Sequence, residues 1–468
     1  MPDKKIIGPT FSEMLHPETI PEELRKAALQ AKQRDPLDPI NFFNITWKNE
    51  KNEIAYYVLP KQITGVPCNI VILYGKDFPT GSHKVGATYS ILMEKVIREE
   101  VDPFYHRLVW PSTGNYGIGG AWVGCRMGFD SLVILPELMS QERFDIIYSY
   151  GAKVIATPGC ESNVKEIYDK AKELKREDPD KVRILNQFEE FGNYRFHYYV
   201  TGNTLIELAE VLRKSGIGNG EISSIVSSMG SSGTIACGDR LKEVFPRCRI
   251  VGSEPIQCPT VIQNGYGGHD IQGIGDKHVT WIHNVMNMDA MVAVDDMESK
   301  LGLQLLTDPV GKAYLRSIGI SSSDVEGMAD IFGISGVCNV LSAIKVAKYY
   351  DLTAEDTIVT IATDNVDRYH SVMEALNQRF GTMDPTRAAV LFEKTFMGVR
   401  TDWLQEGTYE ARKRWHNLKY YTWVEQQGKT VEALNETRSP VFWQKQQKMV
   451  EETDALLLDY RAKRGFQV

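Results

Sequence analysis

The residues with the most chemical promise fall in three loops. Lys84 closes Pro79-Thr-Gly-Ser-His-Lys84, a Gly/Ser turn between the apolar run Asn69–Tyr74 and a helical pattern from Ser90 to Ile97. A lysine just ahead of a helix lies near positive helix-end partial charge, which disfavours the ammonium form. It suits an amine that must be neutral to form a Schiff base; alone, it reads first as a turn lysine in water. Gly230-Ser-Ser-Gly-Thr234 stands between a strand pattern and a helix pattern. Small residues there let backbone N–H groups approach an anion such as a phosphate. It has neither the Walker lysine nor GxGxxG spacing, so no nucleotide fingerprint fits, and a plain connecting turn is the alternative. Ser112-Thr113-Gly114-Asn115 is the third loop, with hydroxyl, amide and backbone donors for a carboxylate or phenolate oxygen, or for an ordinary helix cap.

Taken together, the loops provide for an aldehyde carbon, a phosphate and a ring oxygen, which describes pyridoxal 5′-phosphate (PLP). The motifs around them follow in a fixed order: Pro111-Ser-Thr-Gly-Asn115, Asn186-Gln187-Phe188, Asn193-Tyr-Arg195 and Thr201-Gly202 come first. Gly230 to Thr234, Val251-Gly-Ser-Glu-Pro255, Ile271-Gln-Gly-Ile-Gly275, Gly333-Ile-Ser-Gly336 and Thr363-Asp-Asn-Val-Asp-Arg-Tyr369 complete the series. On these pieces residues 60–375 resemble a fold-type II PLP-dependent enzyme of the tryptophan synthase β / cysteine synthase superfamily.

The resemblance implies that Lys84 holds the cofactor and moves the Cα proton. It also implies that Asn115 bonds the ring hydroxyl and that Gly230, Ser231, Ser232, Gly233 and Thr234 form the phosphate cup. Ser112, Thr113, Gly114, Asn115 and Gln187 would receive the substrate carboxylate. Asn365, or a neighbour, falls where the family sets a group against the pyridine nitrogen. Three departures stand out. His83 precedes the lysine, as in tryptophan synthase β subunits, and is counted with the cofactor residues. Tyr116 follows Asn115 in place of a small residue and is expected to narrow the substrate site. Asn365, with Asp364 adjacent, replaces the usual Ser or Thr, and a carboxylate there would protonate the ring nitrogen and strengthen the electron sink.

The elements that must position these loops read as alternating strands and helices from about residue 68 to 362, the pattern of parallel βαβ units that gather ligands at strand carboxyl ends. Strands are expected near 69–74, 107–110, 131–135, 151–156, 222–228, 249–252 and 357–362. Helices are expected near 118–127, 141–150, 163–175, 234–244, 302–316 and 336–350, with a polar interlude at 186–203. From about 380, amphipathic helices rich in Trp, Tyr, Lys and Glu form a helical extension, read as packing or an interface rather than RNA contact. The fold expected is α/β, with two open twisted sheet domains and helices on both faces. Residues 1–80 are expected to contribute to the large PLP domain, 81–190 to form a small mobile domain, 191–380 the large domain and 381–468 the extension.

The chain has 468 residues, and 53 basic against 61 acidic side chains give a net charge of −8. That balance favours a small-molecule partner over nucleic acid or an anionic membrane. Seven cysteines carry no Cys-x-x-Cys or metal spacing and suit free thiols in a reducing cytoplasm. His269, His278 and His283 also lack metal spacing, so no metal is expected. The function implied is β-elimination or β-replacement on cysteine, serine or an O-activated serine, by way of a Lys84 Schiff base and an aminoacrylate, in a homodimer. The alternatives are a threonine synthase or a serine/threonine dehydratase, and, outside catalysis, a scaffold that keeps the fold without the activity.

Overall fold

The computed structural model describes residues 7–112 and 114–464. Its strands among these residues are β1 (Tyr56–Val58), β2 (Asn69–Tyr74), β3 (Arg107–Pro111), β4 (Asp130–Pro136), β5 (Lys153–Thr157) and β6 (Val182–Ile184). They continue with β7 (Ser224–Ser228), β8 (Arg249–Pro255), β9 (Ala290–Val294), β10 (Thr357–Ala362) and β11 (Leu404–Glu406). Two sheets result, one in the order β1-β2-β10-β7-β8-β9-β11 and a smaller one in the order β5-β4-β3-β6. The small sheet is wholly parallel. The large one is parallel from β2 through β9 and closes at each edge with an antiparallel strand. Runs such as Thr357–Ala362 are buried on both faces, which is why they read as continuous apolar stretches rather than alternating ones. Helix Ile334–Tyr349, buried from Ile334 to Ala347, covers one face of the large sheet.

The expected strands and helices recur in order through this region, which also holds β6 and a helix at Ser322–Ile331 that were not expected, and four further differences stand out. The interlude at 186–203 is helical, passing from Phe191–Arg195 through a π-turn at Phe196–Thr201 into Gly202–Lys214. Its polar residues point inward to partners: Arg195 to Glu94, and His197 to Thr201 at 3.0 Å. The helix expected at 302–316 is two, Asp296–Thr307 and Pro309–Ser317, because Asp308 caps the second through Val310 N and Pro309 begins it. Strand β9 was not separated from its surroundings by pattern. Finally, the C-terminal extension is not helical throughout: β11 runs antiparallel to β9 and completes the large sheet.

The long helix Pro440–Lys463 ties the two ends of the chain together. Asp454 accepts from Phe11 N at 2.7 Å and Ser12 N at 3.0 Å, and Arg461 pairs with Glu13 at 2.9 Å. Among the described residues no single helix is long and apolar enough to cross a membrane.

Candidate active site

β2 and β7 both flank β10, so the loops leaving their carboxyl ends meet above the middle of the large sheet. Lys84 is the first residue of helix Lys84–Ile97, and its Nζ lies 3.2 Å from Ser231 Oγ in the loop after β7. Burial pushes the Lys84 amine down to about 8, while Asp276 and Glu161 pull it back up.

The Gly230–Thr234 loop has the form of a cradle. No backbone N–H from Gly230 to Gly233 donates to another group among the described residues. Ser232 takes a positive φ of 59°, and a Cβ on Gly233 would run into the Asn193 carboxamide. Asn193 Nδ2 donates to Ser231 Oγ and to Gln187 O, both at 3.0 Å, and so couples the cradle to the 186–188 segment. Behind the cradle, His83 Nε2 is 3.3 Å from Thr234 Oγ1. The His83 ring stacks on Trp47 at 5.4 Å and meets His197 edge-on at 5.2 Å. Burial and the neighbouring Lys84 hold the His83 imidazole well below its ordinary value, so it is neutral.

The loop after β3 brings Asn115 against Asp364, which follows β10. Asn115 Nδ2 donates to Asp364 Oδ2 at 2.7 Å, and Asn115 Oδ1 has no partner among the described residues. Asp364 also accepts from Tyr369 OH at 2.9 Å and faces Arg143 at 3.7 Å and Arg368 at 3.9 Å. Ser112 Oγ accepts from Gly114 N at 2.9 Å and Gly117 N at 2.6 Å, so this hydroxyl shapes the loop. Gly114 has φ 155°, and a Cβ there would press on the Arg143 guanidinium at 3.1 Å. Gln187 is buried beside the cradle, and Thr113 lies outside the described residues.

Two expected contributors lie elsewhere. Tyr116 does not narrow the site: its hydroxyl donates to Leu185 O at 3.0 Å and its ring packs on Trp110, because the helical turn after Asn115 points it into the core. The Asn365 side chain turns outward to Asp367 at 2.9 Å, and Asp364 takes the buried place beside Asn115. Sequence reading missed Arg143, which lies in the helix expected near 141–150 and is fully buried, and Asp276, the residue just beyond the Ile271–Gly275 motif.

The donor set suits PLP. A partly neutral amine, a loop of free N–H groups at a helix start, and an amide with a carboxylate on the opposite side match its aldehyde, phosphate and ring.

Comparison with known proteins agrees. Residues 68–310 match the model of the family described as pyridoxal-phosphate dependent enzymes. The chain is 30% identical to a cysteine synthase of Staphylococcus aureus over 286 residues, 60% of this chain and 81% of that one. It is 26% identical to the cystathionine beta-synthase of Apis mellifera over 318 residues, 66% of this chain and 57% of that one. Among solved structures, a cysteine synthase of Entamoeba histolytica superimposes with a TM-score of 0.58 at 21% identity, covering 73% of this chain and 92% of that one. A hydrogen sulfide-producing enzyme of Fusobacterium nucleatum gives 0.55 at 24% identity, covering 69% and 88%. The two-sheet architecture is thus that of the fold-type II enzymes, and the chain belongs to the family of pyridoxal-phosphate dependent enzymes.

Proposed function

We propose that the chain catalyses β-elimination or β-replacement on cysteine, serine or an O-activated serine, with Lys84 holding PLP and moving the Cα proton. The observation that carries this reading is the approach of Lys84 Nζ to Ser231 at 3.2 Å, at the lip of a loop of unpaired N–H groups. When bound, PLP supplies an electron sink for the pair released at Cα. Lys84 can take that proton because burial brings its amine to about 8, close to neutral working pH.

Gly230, Ser231, Ser232, Gly233 and Thr234 are assigned to the phosphate, with His83 behind Thr234 as a neutral partner. Asn115 is assigned to the ring hydroxyl. The 112–115 loop, in which Ser112 fixes the backbone, and Gln187 are assigned to the substrate carboxylate. Asp364, rather than Asn365, is assigned to the pyridine nitrogen, on the strength of its burial and its two arginine neighbours. The small-sheet body is read as the mobile domain. Free thiols at all seven cysteines support a cytoplasmic site of action, and the homodimer rests on the resemblance alone.

A second reading has one observation in its favour. A carboxylate against the ring nitrogen strengthens the electron sink beyond what a hydroxyl gives, which suits a threonine synthase or dehydratase. The visible spectrum of the purified protein with PLP, set against Lys84→Ala, tests both. An imine band in the wild type alone, altered by cysteine, serine or O-acetylserine with release of sulfide or pyruvate, supports the β-chemistry. A response to threonine or phosphohomoserine alone supports the second reading, and a protein that stays colourless with added PLP overturns both.

A further inference from the structure

We propose that Asp276 is the acid–base group that serves the β-substituent of the substrate, and that the natural leaving group is a thiol or hydroxyl that departs with a proton, not an acylated oxygen. This rests on the β-chemistry proposed above and deepens it.

The other buried aspartates with described partners are satisfied. Asp239 accepts from Tyr194, Asn284 and Asn287 at 2.6–2.9 Å, and Asp454 from Phe11 and Ser12. Asp364 accepts from Asn115 and Tyr369. Asp276 is 5% exposed, yet neither carboxylate oxygen has a hydrogen-bond partner among the described residues. Burying a carboxylate without a donor is costly, and a residue kept only for structure is normally paired.

Its position is also built. Gly275 N donates to Met229 O at 2.8 Å and Thr260 Oγ1 donates to Asp276 O at 3.0 Å, which fix the backbone on both sides of the carboxyl. A Cβ on Gly230, the first residue of the cradle, would lie 3.7 Å from Asp276 Oδ2. The carboxyl therefore borders the cradle, in the same room as the Lys84 amine whose charge it feels.

Burial raises Asp276 to about 7, and Lys84 pulls it back down. The other groups that sense its charge, Tyr168 and Cys258, are themselves pushed up by burial and stay neutral; Glu161 acts on Lys84. Lys84 and Asp276 thus sense each other's charge across the cradle and both titrate near neutral pH, with no hydrogen bond or ion pair between them among the described residues.

In elimination from cysteine, Lys84 takes the Cα proton and the C–H electron pair becomes the Cα–Cβ double bond. The Cβ–S bond breaks with its pair on sulfur, and the Asp276 proton goes to that sulfur. The carboxylate left behind takes a proton from the incoming thiol or water. Serine follows the same path through its hydroxyl oxygen. An O-acetyl group leaves as a stable carboxylate and gains little from the acid.

The test compares wild type with Asp276→Asn on cysteine and on O-acetylserine. The expected result is a fall in kcat/KM for cysteine of roughly 10²–10⁴-fold, the usual worth of general acid–base catalysis, and little change for O-acetylserine. The limb near pH 7 should disappear from the cysteine profile of the variant. A second readout needs no turnover: without the carboxylate, the pH midpoint for covalent capture of PLP by the apo-protein should move down, and continued capture shows that the variant folds. Equal loss on both substrates, or no loss on cysteine, overturns the role of Asp276 alone. Wild-type turnover of neither substrate overturns the β-chemistry reading and this proposal with it.

Discussion

Asn115 Nδ2 meets Asp364 Oδ2 at 2.7 Å across 249 residues of chain, and this bond joins the helix that leaves the small sheet to the segment just after β10 of the large one. Both partners are buried, and Asp364 stands among Tyr369, Arg143 and Arg368. The contact therefore ties the small-sheet loop to a buried cluster of charged and polar groups.

Removing the carboxylate should be expensive. Asp364→Ala leaves the fully buried Arg143 without its negative partner, and breaking such a pair from one side costs roughly 3–5 kcal/mol. Arg143 keeps Tyr369, Ser140 and Gln272, so the lower end of that range is expected in urea unfolding. Asp364→Asn should fold better, since an amide can still meet Asn115 and Tyr369, yet should shift the visible band of the PLP-loaded protein.

Covalent capture of PLP should report the Lys84 environment. Burial lowers the amine from its ordinary 10.5 to about 8. Below that point it is protonated and cannot attack the aldehyde; above it the neutral amine dominates. The rate of imine formation should therefore rise through pH 8 and level off above it, as followed by stopped-flow absorbance. A midpoint near 10.5 would mean a solvated lysine.

How much of this was legible beforehand depended on range. The lysine loop, the Gly230–Thr234 loop and the strands before them are local patterns, and each was readable from apolar runs ending in Gly and Ser. Asp364 against Asn365 was not, because the choice is made by partners at 115, 143 and 368. The 186–203 segment misled for the same reason: its polar letters are satisfied by Glu94 and Ser231, distant in sequence, and by Gln187 O within the segment, not by water. Tyr116 was misplaced because spacing says nothing about which way a side chain leaves the first helical turn. Strand β11 is three residues long, too short to announce itself.

The cradle tolerates no extra atom at Gly233. An added Cβ meets the Asn193 carboxamide, which is held by Gln187 O and Ser231 and has little freedom to retreat. Overpacking of this kind costs roughly 1–3 kcal/mol, so Gly233→Ala should weaken PLP binding by about 5–150-fold in a fluorescence titration. Global stability, measured without PLP, should change less than Asp364→Ala changes it.

The C-terminal extension should govern PLP affinity from a distance. Its Lys419 is buried and donates to Trp281 O at 3.0 Å and His283 O at 2.7 Å, and Trp423 Nε1 donates to Val279 O at 2.8 Å. The segment so clamped carries Thr280, whose hydroxyl donates to Ser231 O at 3.0 Å, inside the cradle. Burial brings the Lys419 amine down to about 7, yet the two carbonyls and the Trp281 and Trp443 rings around it favour a cation. Lys419→Met keeps the length and removes the donor, leaving two buried carbonyls unmet at about 1–3 kcal/mol. Part of that cost should reach Ser231, so the variant should bind PLP several-fold more weakly while Lys84 still captures it with the same pH midpoint. Trp423→Phe, which loses one donor and keeps most of the packing, should show a smaller effect in the same direction. Wild-type PLP affinity in both variants would mean that the extension holds the 279–283 segment without transmitting anything to the cradle.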